Sequence, residues 1–188
     1  DGKLVSIDMN SNRFKQIMQE QQKPGAIELI YKMMGLDGID EQRQILIDQS
    51  NALPTLLKES PMHWANDISF FLDQLEWINL NNPLLKGKLD LKSIGIMGMS
   101  MGGMATNEIC ISDRRVQAGI NMDGGLIGSQ LDKKIHTPFM FLNGKRYVGY
   151  GKLFTSNITK DGYSFSVRDA DHYNLTDYSI YKIQNLSF

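Results

Sequence analysis

Cysteine is nearly absent: Cys110 stands alone among 188 residues. One thiol excludes an intrachain disulfide and any metal site built from several cysteines. On the helix expected around it, Cys110 reads as a small apolar core residue. Histidine is scarce too, with only His63, His136 and His172. There is no His-x-x-x-His pair and no acidic run with calcium-loop spacing, so no metal site and no cofactor is expected. An excess of one charge is also lacking. The formal net charge is −1, which gives no reason to expect nucleic acid or an anionic surface as a partner. No apolar run reaches the ~20 residues that span a bilayer, so no transmembrane segment is expected. Internal repeats and low-complexity tracts are missing. So is an initiator methionine: the chain opens Asp1-Gly2-Lys3. Its start is compatible with a processing boundary, and the lack of a visible signal peptide says little about compartment.

What is present is an ordinary globular composition, 41% apolar and 22% charged. The length suits one domain spanning 1–188 with a sizeable core. The most informative stretch is Ile94-Gly-Ile-Met-Gly98-Met99-Ser100-Met101-Gly102-Gly103. A short apolar strand compresses into Gly-x-Ser-x-Gly and runs on as a helix over 104–111. Strand, tight turn and helix give that pattern its mechanical meaning: the serine is forced into a strained conformation at the C-terminal edge of a sheet, and the flanking glycines leave room for strand and helix to approach. Ser100 is therefore the candidate nucleophile. The N–H of Met101, opening the helix, is the candidate oxyanion donor. The same glycine-rich turn lacks the lysine of a phosphate loop, which argues against nucleotide binding.

Along the chain, a short strand is expected at 4–7 and helices at 13–22, 26–34 and 41–58, the last broken near Pro54. This helical segment at about 13–58 is rich in Gln, Met and Leu and reads as amphipathic packing, with a helical segment lying over an active site as the alternative. The strongest helical pattern covers 64–79, with Ile68, Phe71, Leu72, Leu75 and Ile78 as one stripe. Beyond the elbow, strands are expected at 116–122, 138–142 and 163–167, and a last helix at 177–183. Strands alternating with helices argue for an α/β fold with a mostly parallel sheet and helices on both faces.

A serine needs a base, normally a histidine oriented by a carboxylate. His136 precedes a strand, at the wrong end of a parallel sheet, whereas His172 follows the last strand at the right end. The acid is harder to place. The strand ending Phe141-Leu142-Asn143-Gly144 offers no carboxylate. One strand earlier, Asp123 stands at a strand end before Gly124-Gly125. Placement favours Asp123, with Asp161, Asp169 and Asp171 as alternatives.

Four separated motifs, Asp67-Ile-Ser-Phe-Phe-Leu-Asp-Gln-Leu75, Asp90 to Gly103, Gly119-Ile-Asn-Met-Asp123 and His172-Tyr-Asn-Leu-Thr-Asp177, resemble the plasma-type platelet-activating factor acetylhydrolases and their bacterial relatives. The resemblance covers roughly residues 41–180. It implies an α/β-hydrolase serine esterase with Ser100 as nucleophile, Asp123 as acid and His172 as base. It also implies a small-molecule or lipid ester with a short acyl chain as substrate. Where the family usually has histidine and phenylalanine beside the serine, this chain has Met99 and Met101, so the pocket wall is expected to differ. The family also has strands ahead of this segment, with a loop that donates a second oxyanion N–H. Those N-terminal strands are expected to be missing from this chain, and the second donor to lie outside it. Two further readings share these residues. One is another acyl-serine hydrolase: a thioesterase, a peptidase or a dienelactone-type enzyme. The other is a binding module that kept the fold and lost the activity.

Overall fold

The structure is a computed structural model that describes residues 38–177. The strand expected at 4–7, the helices expected at 13–22 and 26–34, and all but the first residue of the final helix lie outside that range.

Four short strands form one parallel sheet: β1 (Ile94–Met99), β2 (Val116–Met122), β3 (Phe139–Asn143) and β4 (Gly162–Ser166), in the order β1-β2-β3-β4. Parallel neighbours need crossover connections. Helix α3 (Met101–Ser112) supplies the first. The second contains a 3-10 turn at Gly128–Leu131, and the third a 3-10 turn at Lys145–Tyr147 and the short helix α4 (Gly151–Thr155).

Register sorts the side chains into two faces, because alternate residues of a strand point opposite ways. One row aligns Gly98, Asn121, Phe141 and Ser164. This face is buried: Phe139, Phe141, Asn121 and Asn143 are almost wholly inaccessible. Phe141 lies against Phe154 of α4, ring centroids 4.8 Å apart, and Asn121 bonds to Asn107 of α3. Each such aromatic contributes on the order of 1.5–3 kcal/mol by burial. The other face aligns Met97, Ile120, Met140 and Tyr163. Met97, Tyr163 and Phe165 there expose half or more of their surface. Of the cover expected on both faces, the described helices provide that of the first.

Before the sheet come α1 (Ile39–Ala52) and α2 (Thr55–Asn81). The break expected near Pro54 falls between them. The second helix is longer than expected, because the helical tail before 58 and the helix at 64–79 are one element running through Pro61. A proline inside a helix forfeits a backbone bond. Here the helix is held by a buried stripe, Leu57, Pro61, Ala65 and Leu72, at helical spacing. Phe71, expected in the buried stripe, is instead 55% exposed. Arg115 pins α2 to the turn between α3 and β2. It reaches Asp73 and Asp113 at 2.6 Å each and donates to the Ser69 carbonyl. Its hydrogen bonds hold the Asp113 carboxyl down at about 2.

Cys110 is buried in α3. Burial pushes its thiol up to about 12, which leaves it protonated and unreactive at neutral pH. Among the described residues no helix is long and apolar enough to cross a membrane, and no three His, Cys, Asp or Glu side chains gather where a metal ion could be held.

Candidate active site

The site is built where β1, β2 and β3 end. The ladder of β1 stops at Met99, and the chain turns at once into α3. Ser100 makes that turn with φ 58° and ψ −122°, while its N–H still donates to the Met122 carbonyl at 2.8 Å. Among the described residues only Ser100, Asp123 and Asp169 combine a side chain with positive φ. All three are site candidates in the sequence, Ser100 as nucleophile, Asp123 as acid and Asp169 as an alternative acid, and Asp169 lies three residues before His172. Such conformations persist only where the surroundings enforce them.

The elbow's glycines are not equivalent. A Cβ on Gly98 would stand 2.2 Å from the carbonyl oxygen of Gly102, whereas one on Gly102 meets nothing within 4 Å. The first glycine of the pattern is thus demanded by the close approach of strand and helix, and the second is not. Gly98→Ala is expected to cost about 1–3 kcal/mol, the usual toll of overpacking, and Gly102→Ala to be neutral or slightly stabilising. Thermal melts of the two variants check this.

Asp123 follows β2 and is buried. Its N–H donates to the Leu142 carbonyl at 2.9 Å, which fixes the loop to β3. One carboxylate oxygen, Oδ1, accepts the Gly144 N–H at 2.9 Å. The other, Oδ2, lies 2.6 Å from Nδ1 of His172. Burial alone pushes this carboxyl up. The hydrogen bonds from His172 and Gly144, with the charges of His172 and Arg146, outweigh it and hold the group below its ordinary value. Asp123 is therefore a carboxylate at neutral pH and can only accept. Nδ1 of His172 must then be the donor, which leaves Nε2 of the neutral ring as an acceptor. That nitrogen is 3.0 Å from Ser100 Oγ. An imidazole so held can take a proton from the hydroxyl while the carboxylate stabilises the resulting cation.

The structure thus brings Ser100, Asp123 and His172 together. The alternative acids stand elsewhere. Asp161 precedes β4 at the opposite end of the sheet, and Asp171 pairs with Lys145 at 2.7 Å. Asp169 is exposed in the loop before His172. His63 is exposed on α2, and His136 bonds to Thr159. Met101 opens α3, where the first N–H groups of a helix have no acceptor within it. A cavity of about 650 Å³ lies at the other end of the strands, beside Cys110, Val116 and His136, and takes no part in this constellation.

The family of platelet-activating factor acetylhydrolase, isoform II, matches residues 72–182, more than half of the chain. The chain belongs to this family. A platelet-activating factor acetylhydrolase of Cavia porcellus is 26% identical over 165 residues, which cover 80% of this chain and 35% of that protein. The chain therefore spans about a third of the length of that curated relative. Among solved structures, a ferulic acid esterase from Streptomyces cinnamoneus is similar with a TM-score of 0.51 and 23% identity, over 68% of this chain and 37% of that one. An esterase of Pyrococcus furiosus gives 0.43 at 11% identity, over 71% and 62%. The fold is of the α/β-hydrolase type.

In this member of the platelet-activating factor acetylhydrolase family, the loop that carries Asp123 is held by a buried amide network that the sequence pattern does not single out. Asn121 donates to Asn107 and to the Gly125 carbonyl, and accepts the Gly124 N–H at 2.8 Å. Asn107 donates in turn to Gln130, which donates to the Met104 carbonyl. These bonds tie the turn after Asp123 to α3, the helix that Ser100 starts. One signal was available: Asn121 interrupts an apolar strand, where asparagine is disfavoured unless its amide has partners.

Proposed function

We propose that the chain hydrolyses carboxylic esters through a covalent acyl-serine. The observation that carries this is the unbroken relay from Asp123 to His172 to Ser100, at 2.6 and 3.0 Å, on a strained elbow. Family membership supports it. Ser100 Oγ attacks the ester carbonyl carbon as His172 Nε2 takes its proton. The carbonyl oxygen becomes an oxyanion that the Met101 N–H receives at the start of α3. The tetrahedral adduct then collapses, the ester C–O bond breaks, and the proton on His172 passes to the leaving alcohol. Water, deprotonated by His172, attacks the acyl-serine, and the carboxylic acid leaves as Ser100 regains its proton.

The substrate class follows from the relative's name: an ester with a short acyl group, acetyl first, on a small-molecule or lipid alcohol. A panel of p-nitrophenyl acetate, butyrate and octanoate, with an acetyl thioester and an acetyl anilide, tests this. The acetate ester is expected to turn over fastest, with rates falling as the acyl chain grows and none detectable on the anilide. Faster turnover of the thioester or anilide would point to another acyl-serine hydrolase. A folded chain with no turnover of any of the five would support the non-catalytic binding module.

A further inference from the structure

The segment leaving β3, Asn143-Gly144-Lys145, runs between the loop that carries Asp123 and the loop that carries His172, and it bonds to both. The Asn143 carbonyl accepts the Val167 N–H at 2.8 Å. The Gly144 N–H donates to Asp123 Oδ1. The Lys145 N–H donates to the Ala170 carbonyl at 2.8 Å, and its ammonium pairs at 2.7 Å with Asp171, the residue before the histidine. Asp171 in turn caps the 3-10 turn that His172 begins: its N–H donates to Asn174 Oδ1, and its carbonyl accepts the Asn174 N–H.

Gly144 has φ −79°, a value open to any residue, so conformational freedom is not what it supplies. What it supplies is space. A Cβ there would stand 2.6 Å from the Ala170 carbonyl oxygen, a backbone atom that cannot rotate aside. Ala170 is buried, and Asp169 before it already sits at φ 59°. The histidine loop has little slack to absorb an added methyl.

We propose that Gly144 and Lys145 are positioning residues for the Asp123–His172 pair. Gly144 orients the carboxylate and lets the histidine loop close on β3. Lys145 holds that loop through Asp171. The proposal rests on the acyl-serine reading above. Neither residue touches the reacting atoms. Each acts through His172, whose Nε2 must meet a hydroxyl 3.0 Å away.

The test compares the full chain with Gly144→Ala, Lys145→Met and Lys145→Arg. The readouts are kcat and KM on p-nitrophenyl acetate, the rate of fluorophosphonate labelling, and thermal melting. Gly144→Ala is expected to lower kcat and the labelling rate together by about 10²-fold, as displacement of a catalytic group by about 1 Å does, with KM unchanged. Lys145→Met is expected to lower kcat by about two- to fivefold, the scale of an exposed ion pair, with the melt unmoved. Lys145→Arg is expected to restore the parent rate. If Gly144→Ala does not fold, the two lysine variants decide. A parent chain that labels while all variants match it in kcat would overturn the positioning role and leave the acyl-serine reading standing. A rise in KM at constant kcat in Lys145→Met would also overturn it, since that marks contact with substrate. A folded parent that does not label would remove the acyl-serine reading and this proposal with it.

Discussion

Asp123→Asn is expected to lower kcat for ester hydrolysis by on the order of 10⁴ while leaving the fold intact. The reason is a count of donors. The carboxylate faces two N–H groups, Gly144 on Oδ1 and His172 Nδ1 on Oδ2. An asparagine has one acceptor and one donor end. If its oxygen stays on Gly144, its NH₂ faces Nδ1 and forces the ring proton onto Nε2. The histidine then donates to Ser100 where it should accept, and no base is left. If the amide flips, its NH₂ opposes the Gly144 N–H in a buried loop. That clash of two donors disfavours the flip, so the first arrangement prevails and the relay is broken. The loss should fall on kcat, with circular dichroism unchanged. A variant within tenfold of the parent would remove Asp123 from the mechanism.

The same carboxylate carries a pH signature. Its folded pKa is depressed, so the unfolded chain takes up its proton first as pH falls. Its contribution to stability is complete above the ordinary carboxylate range. It is lost only as pH falls from there through the lowered folded value. Asp123→Asn should flatten the acid limb of the stability profile over that interval.

The second large effect is at Ser100. Ser100→Ala removes the oxygen that attacks in the proposed mechanism, and hydrolysis is expected to fall by on the order of 10⁶, to whatever binding and the oxyanion donor sustain. Ser100→Gly should be equally inactive but more stable. A residue with a Cβ held at φ 58° and ψ −122° stores roughly 1–3 kcal/mol of strain, which glycine escapes. An inactive Ser100→Gly that melts above Ser100→Ala would show that the elbow trades stability for geometry. Equal melting points would show that the turn carries no such strain.

Much of this arrangement is legible in the residue order. Ile94 to Met101 announces a strand, a turn and a helix because apolar run, glycines and serine come in an order that little else produces. Asp123 and His172 stand out by position: each follows an apolar strand, and in a parallel sheet the ends of strands meet on one edge. The long α2 is less legible, because Pro61 speaks locally against a helix while the burial of Leu57, Ala65 and Leu72 holds it from a distance. Phe71 fits the helical period yet stays exposed, because period alone does not reveal where the buried stripe is centred. The roles of Asn121, Asn107 and Gly144 depend on contacts between segments distant in sequence. A pentapeptide rule treats Gly98 and Gly102 alike, although only Gly98 sits against backbone.

In the proposed mechanism Ser100 is already activated by His172. A fluorophosphonate reports that state directly, because an ordinary serine does not react with it. The decisive measurement is the intact mass of the chain after exposure to such a probe, run beside Ser100→Ala. The expected result is one adduct on the parent and none on the variant. A folded parent without an adduct, or an adduct that survives in Ser100→Ala, would contradict the account.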